Sequence, residues 1–170
     1  AMAKEAPAGY SKMQILLHWA VPVLIVVQFL LGPAMTSVYE GMKTGTPTGS
    51  PALAWAHVGI GLLVLVLALW RVGLRFARGV PAPAFEPKTP EQGFLAFVTN
   101  ELTFFLYLAI LAMPVLGAVG WFYGNGVAAS AHASMKYLLI LVVAVHVGLT
   151  LVHQFVLRDG SLDRMRKVGD

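Results

Sequence analysis

Five histidines lie within or at the edges of long apolar segments of this 170-residue sequence. They are His18, His57, His132, His146 and His153. A neutral imidazole has one nitrogen with a free lone pair, so histidine is a frequent metal ligand as well as a hydrogen-bonding group. In an apolar segment the simpler role is a hydrogen bond to a neighbouring helix. Which chemistry applies depends on whether the histidines meet, and therefore on the elements that carry them.

The apolar segments are long enough to cross a membrane. Only 12% of the residues are charged and 58% are hydrophobic, with a mean hydropathy of +0.74, whereas a soluble domain carries roughly a quarter charged residues. Apolar runs of about 18 or more residues are typical of transmembrane helices, and we expect four, over residues 13–35, 52–76, 101–123 and 130–157. The sequence therefore predicts an all-α transmembrane four-helix bundle, up-down-up-down, as a single domain over residues 1–170.

The positive charges predict the orientation of this bundle. Bases cluster before the first span and after the second and fourth: Lys4, Lys12, Arg71, Arg75, Arg78, Lys88, Arg158, Arg164, Arg166 and Lys167. Because such residues accumulate on the cytoplasmic side, we expect both termini and the 78–93 connection in the cytoplasm. Loops at 37–51 and 121–130 would then lie on the outer face. The same asymmetry argues against the nucleic-acid binding that a net charge of +4 would otherwise suggest.

Depth in the membrane pairs four of the histidines. His18 lies near the cytoplasmic start of the first span, and His57 lies near the outer start of the second. In the fourth span His132 and His146 are separated by about 21 Å and four turns, on nearly the same face. His57 therefore matches His132 in depth, and His18 matches His146. Two such cross-helix imidazole pairs suit two b-type haems, each iron taking one nitrogen from either side.

The residues alone leave the metal and one ligand open. His153 follows His146 on the same face, about 10 Å nearer the cytoplasm, and could replace it as the partner of His18. Zinc is an alternative metal, but it needs three or four ligands at one level, and these histidines divide between two. Cysteine is absent, which excludes thiolate sites, iron–sulfur clusters and covalent c-type haem.

Glycines lie within all four spans, several of them close to the histidines, and they include Gly32, Gly59, Gly61, Gly117, Gly120 and Gly148. A missing side chain would either let a flat porphyrin approach the backbone or let neighbouring helices pack closely. The sequence favours neither explanation.

Several groups of residues occur in an order and spacing that are specific when taken together. They are "YSKMQILLHW" (10–19), the set His57, Gly61, Arg71 and Arg75, "YLAILAMPVLG" (107–117), and the trio His132, His146 and His153 followed by "RDGSLDRM" (158–165). This arrangement resembles the bacterial cytochrome b561 family over essentially the whole chain, from Tyr10 to the basic tail.

The resemblance implies a ligand set. It assigns His18 with His146 to a cytoplasmic haem and His57 with His132 to an outer one. His153 then corresponds to a further histidine of the family, near a quinone or a haem propionate. The chain departs from the family pattern at Thr103, where relatives often have a histidine, and in the short loop between the third and fourth spans.

Charged and polar residues near these positions are further candidates. Arg71 would pair with propionates of the inner haem, although topology and snorkelling also explain a base there. Lys136, one turn after His132, would neutralise an outer-haem propionate, draw small anions toward that haem, or snorkel to the headgroups. Candidate quinone contacts are Ser11, Lys12, Gln14, Arg71, Arg75 and His153.

The resemblance implies transmembrane electron transfer in the bacterial inner membrane through two haems b. The electrons would pass from a periplasmic one-electron donor, which is superoxide in some relatives, to ubiquinone. If the chain is an enzyme, it would be a superoxide:ubiquinone oxidoreductase. The alternative is a membrane-anchoring haem subunit that serves a partner dehydrogenase, hydrogenase or periplasmic redox protein. A haem-free scaffold or transporter would require all four ligand assignments to be wrong.

Overall fold

The computed structural model describes residues 6–82 and 87–169 as an antiparallel bundle. Its long helices are α1 (Lys12–Thr44), α2 (Pro51–Arg78), α3 (Pro90–Phe122) and α4 (Gly126–Leu151). A π-helix (Val152–Leu157) continues α4, and a 3₁₀ turn (Asp163–Met165) follows it. All four long helices are apolar enough to cross a membrane, so the predicted all-α transmembrane bundle is confirmed. Lys4 and the central part of the 78–93 connection lie outside the described residues.

Consecutive helices pack against one another, α1 on α2, α2 on α3 and α3 on α4. Both termini therefore lie at the same end of the bundle. There the amide of Gly169 donates to the carbonyl of Tyr10 at 3.2 Å, and the indole of Trp19 donates to the carbonyl of Met165 at 2.8 Å. We call this the terminal end, and the end formed by the α1–α2 and α3–α4 loops the opposite end.

Helix α1 extends further than the sequence predicts. Residues 37–44, expected in a loop, are helical, and the helix ends at Gly45 in the left-handed conformation with φ of 70°. The following loop folds back on the last turns: Thr48 Oγ1 donates to the Ser37 carbonyl at 2.7 Å. A Cβ on Gly41 would come within 2.7 Å of Thr46. Tertiary packing thus extends a segment whose composition favours a loop.

Most large apolar side chains point away from the bundle. Leu30, Phe76 and Val127 are each more than three-quarters exposed, which suits a surface that faces lipid rather than water. The contacts between helices use small residues instead. Ala54, Ala68 and Ala109 are buried, and a Cβ on Gly120 would approach Ala129 to 2.9 Å. Close backbone approach of this kind is typical of membrane helices.

Candidate functional site

His57 and His132 face each other at the opposite end of the bundle. Their ring centroids are 6.1 Å apart and the rings are nearly perpendicular, at 84°. Two imidazoles on opposite sides of one metal ion, with metal–nitrogen bonds of about 2 Å each, have ring centroids roughly 6 Å apart. This separation would allow both rings to hold one metal ion.

The proton on the His132 ring is placed by helix α3. His132 Nδ1 lies 2.7 Å from the main-chain oxygen of Met113. A carbonyl only accepts, so Nδ1 must carry the proton and donate it. The other nitrogen, Nε2, keeps its lone pair, which is the state in which an imidazole binds a metal.

A cavity of about 880 Å³ surrounds this pair. It is lined by all four helices, mostly with apolar side chains, and Lys136 also borders it. Small-molecule sites have volumes of roughly 300–1,000 Å³, so this one is large enough for a macrocycle. The ammonium of Lys136 lies 4.9 Å from the centroid of the Tyr137 ring.

The glycines divide between the two expected roles. Gly32 lines the cavity, and a Cβ on it would meet nothing within 4 Å, so it leaves space for a ligand. Gly117 makes room for the His132 ring, because a Cβ there would lie 2.9 Å from Nδ1. Gly120 serves helix packing, and Gly59 and Gly148 face open space. Glycine thus both opens the cavity and brings helices together.

Gln28 was missed by the sequence analysis. Its amide nitrogen donates to the main-chain oxygen of His57 at 2.9 Å, and a Cβ on Gly61 would lie 2.7 Å from that nitrogen. Gln28 Oε1 and His57 Nδ1 are buried and have no hydrogen-bond partner among the described residues. A polar side chain in the middle of an apolar span is the signal that would have identified Gln28.

At the terminal end, Arg71 interacts with both His18 and His146. Arg71 Nη2 lies 2.8 Å from His18 Nδ1, and the guanidinium is 5.5 Å from the centroid of the Tyr107 ring. Because a guanidinium only donates, His18 Nδ1 accepts here and the neutral ring carries its proton on Nε2. An imidazole that binds iron through Nε2 is the other tautomer, so this contact must open before His18 can act as such a ligand.

His153 is buried and held on both sides of its ring. Nδ1 lies 2.6 Å from Asp159 Oδ2, and Nε2 lies 3.4 Å from Thr99 Oγ1. The π-helix ends at Arg158, a non-glycine residue with a positive φ of 54°, and this turn directs Asp159 back toward His153. A small cavity of about 70 Å³ is lined by both His146 and His153.

The pKa of the Asp159 carboxyl lies below its ordinary value. Burial raises the pKa, but hydrogen bonds from Ser161 and His153 outweigh that effect. The hydroxyl and amide of Ser161 donate to Oδ1 at 2.6 and 2.9 Å. The carboxylate is therefore the form that this fold stabilises.

Replacing Asp159 with asparagine is expected to destabilise the protein at neutral pH by about 1.5–3 kcal/mol, the usual contribution of hydrogen bonds to a charged group. A lowered folded-state pKa contributes stability above the unfolded value of about 3.9, and that contribution is lost as the pH falls through the folded value. The difference between parent and variant should therefore shrink in acid. Thermal unfolding in detergent at about pH 7 and about pH 3 measures it.

Asp163→Asn is the matched control for this experiment. Its carboxylate lies 3.6 Å from Lys167 and is well exposed, so the change should cost at most about 0.5 kcal/mol. A stability difference for Asp159→Asn that stays constant across the pH range would contradict the prediction.

The other sequence-predicted polar residues lie at the terminal end of the bundle, at the start of α1 and the end of α2. Ser11 and Gln14 form the capping box of α1, with Ser11 Oγ accepting from the Gln14 amide at 3.3 Å and Gln14 Oε1 accepting from the Ser11 amide at 3.0 Å. Gln14 Nε2 also donates to the Gly79 carbonyl at 3.2 Å. Both side chains are buried, whereas Lys12 is exposed. Arg75 lies in the last turn of α2.

The described residues contain no group of three or more His, Cys, Asp or Glu side chains placed to hold a metal ion. A protein zinc site uses three or four such ligands. Two histidines, His57 and His132, instead face each other at one end of the bundle, and His18 and His146 both interact with Arg71 at the other. Helical bundles commonly build cofactor and metal sites from side chains on facing helices, and His57 and His132 are such a pair.

The comparison with known proteins gives the family. The family model described as prokaryotic cytochrome b561 matches residues 9–167. Cytochrome b562 from Cereibacter sphaeroides is 36% identical over 160 residues, covering 94% of this chain and 96% of that protein. A probable superoxide oxidase CybB from Yersinia pestis is 25% identical over 178 residues, covering 92% of this chain and 94% of that protein.

The chain belongs to the prokaryotic cytochrome b561 family, which confirms the resemblance found in the sequence. It is a multi-pass bacterial membrane protein, and its family implies electron transfer across the membrane by haem b.

Proposed function

We propose that the chain carries electrons across the bacterial inner membrane through two haems b. His57 and His132 hold one haem, and His18 and His146 hold the other. The observation that carries this proposal is the pair of facing imidazoles, 6.1 Å apart, in a cavity of about 880 Å³. When bound, haem supplies the one-electron redox chemistry, and the protein positions it and sets its surroundings.

The contact between Arg71 and His18 supports a role for Arg71 at the second haem. An arginine beside a ligand histidine is a natural partner for a propionate, because guanidinium–carboxylate pairs are strong and geometrically specific. In this proposal Arg71 leaves His18 Nδ1 and pairs with a propionate when His18 turns its lone pair to the iron. Arg71 also has a second attractive contact, because its guanidinium lies 5.5 Å from the centroid of the Tyr107 ring.

The charge asymmetry of the chain supports a cytoplasmic terminal end. The His57–His132 haem then lies toward the periplasm, with Lys136 at the border of its cavity. Lys136 would attract an anionic donor or pair with a propionate. Superoxide is the candidate donor, because one relative is named a probable superoxide oxidase. Each superoxide gives up one electron and leaves as O₂.

Ubiquinone is the proposed acceptor at the cytoplasmic side. Two electrons and two protons convert it to the quinol. His153, Arg75 and Lys12 are the proposed contacts, and the buried His153–Asp159 pair holds a polar group beside His146 at that depth. Ser11 and Gln14 are used in capping α1, so we assign them the positioning of that helix end.

The test is turnover by the purified chain in vesicles that contain ubiquinone, with superoxide generated outside and quinol formation measured. We expect quinol to form at a rate that falls when His132 is replaced by alanine. A chain with both haems that forms no quinol but co-purifies with a dehydrogenase, hydrogenase or periplasmic redox protein would instead be a membrane-anchoring subunit. A colourless protein that takes up no haem would overturn both.

Replacing Gly117 with alanine is expected to weaken haem binding at the His57–His132 pair by about 10–100-fold, the usual cost of disturbing a group that orients a ligand. The new Cβ would lie 2.9 Å from His132 Nδ1, so the ring must leave the Met113 carbonyl. Haem titration of the apoprotein measures the change. Gly73→Ala, where a Cβ meets nothing within 4 Å, is the control. Parental affinity in the Gly117 variant would contradict this role.

A further inference from the structure

Two buried side-chain atoms without a hydrogen-bond partner occur on neighbouring residues of the larger cavity. They are Gln28 Oε1 and His57 Nδ1, and no other such atom occurs in the described part of the chain. An amide oxygen is an acceptor, and an imidazole nitrogen that carries its proton is a donor. A buried polar atom without a partner costs about 1–3 kcal/mol. The two atoms are therefore complementary, and each lacks what the other offers.

The orientation of the Gln28 amide is fixed by its surroundings. Nε2 donates to the main-chain oxygen of His57 at 2.9 Å, and an amide oxygen in that place would face another oxygen. The same nitrogen lies where a Cβ on Gly61 would be only 2.7 Å away. Gly61 thus provides the space for the nitrogen, and Oε1 is the atom that remains for another partner.

The two proposed ligands of this haem differ in how their rings are oriented. His132 donates from Nδ1 to the Met113 carbonyl, which leaves Nε2 for the metal. His57 needs the same arrangement, because a neutral imidazole that binds through Nε2 carries its proton on Nδ1. Such protons almost always go to a carboxylate, a carbonyl or water. The main chain of Gln28 is a competing hydrogen-bond acceptor for the His57 imidazole, but the geometry leaves Nδ1 itself without a partner.

We propose that the side chain of Gln28 positions His57, with Oε1 accepting the Nδ1 proton when the imidazole binds haem iron. This inference rests on the proposed assignment of His57 and His132 as ligands. Gln28 would then hold His57 twice, through Nε2 at its backbone and through Oε1 at its ring. One residue of α1 would fix both the position of α2 and the tautomer of the ligand it carries.

The test compares Gln28→Met with Gln28→Glu in the full haem protein. Both variants remove the amide nitrogen that binds the His57 carbonyl, but only glutamate keeps an acceptor oxygen at the end of the side chain. We expect Gln28→Met to weaken haem binding at the His57–His132 pair by about 10–100-fold and to raise the midpoint potential of that haem. We expect Gln28→Glu to bind this haem more tightly than Gln28→Met does, although one of its oxygens would face the His57 carbonyl, and to lower the potential.

The His18–His146 haem is the internal control, and its affinity and potential should stay unchanged in both variants. Equal loss of binding in the two variants would overturn the proposal, because the role would then lie in the amide nitrogen. Parental binding and potential in Gln28→Met would also overturn it, because the main-chain carbonyl would then be sufficient. If the glutamate variant does not accumulate, the potential measured for Gln28→Met decides alone.

The proposed ligand assignment is checked in the same experiment with His57→Ala. If that variant keeps the parental haem content, the assignment of His57 has failed and the inference about Gln28 fails with it. If His57→Ala loses a haem and both Gln28 variants behave as the parent, only the inference about Gln28 has failed.

Discussion

Replacing His57 with alanine is expected to reduce the haem content of the purified protein from two haems b per chain to one. Alanine removes one of the two facing imidazoles and leaves iron with a single protein ligand in the cavity of about 880 Å³. His132→Ala should give the same loss, because His132, whose ring donates to the Met113 carbonyl, is the other proposed ligand. Quantitative haem extraction with a redox difference spectrum measures both the amount and the identity of what remains.

The haem that remains in His57→Ala should titrate with the potential of the His18–His146 haem in the parent. This control shows that the rest of the bundle is intact. A single haem in the parent, or two haems retained in His57→Ala, would contradict the proposed pairing at this end of the bundle.

Replacing His146 with alanine is expected to remove the other haem, whereas His153→Ala should leave it bound. The distinction follows from the surroundings of His153. Its Nδ1 is 2.6 Å from the Asp159 carboxylate and its Nε2 is 3.4 Å from Thr99 Oγ1, so both nitrogens already face protein groups. Binding iron through Nε2 would leave the Asp159 hydrogen bond intact, so the distinction rests on position. Arg71 interacts with both His18 and His146, whereas His153 Nε2 faces Thr99.

The same extraction and redox titration decide between the two histidines. His153→Ala should keep two haems with a shifted potential at the terminal end, because the buried Asp159 carboxylate loses its partner. A variant at His153 that loses one haem, together with a His146→Ala variant that keeps both, would make His153 the ligand. His146 would then be a buried histidine with a packing role.

The fold was predictable because membrane helices are encoded by length and polarity. An apolar run near 52–76 has few alternatives to a helix in a bilayer, since every backbone group must be paired inside the segment. The extension of α1 to Thr44 was not predictable from composition. It depends on the 46–49 loop, which packs on Gly41 and bonds Ser37, and contacts of this kind are not visible in a local pattern.

The facing of His57 and His132 follows from their matching depths, which helix rise and the order of the spans provide. The groups around the histidines do not follow from these rules. Whether His18 meets Arg71, or His57 meets Gln28, depends on the rotation of each helix about its axis. That rotation is set by small-residue packing such as Gly120 against Ala129, and the apolar pattern of a membrane span specifies it poorly, because lipid-facing and buried positions are equally apolar.

The contacts between the two chain ends imply an order of assembly. Gly9 and Gly169 approach so closely that a Cβ on either would lie 2.6 Å from the other's Cα, and Trp19 bonds the carbonyl of Met165. The first helix leaves the ribosome long before residue 169 exists, so its N-terminal end stays open throughout synthesis. The contacts at the terminal end therefore form only after residues 165–169 have been synthesised, which leaves an interval in which the neighbourhood of Trp19 is not yet covered by that segment.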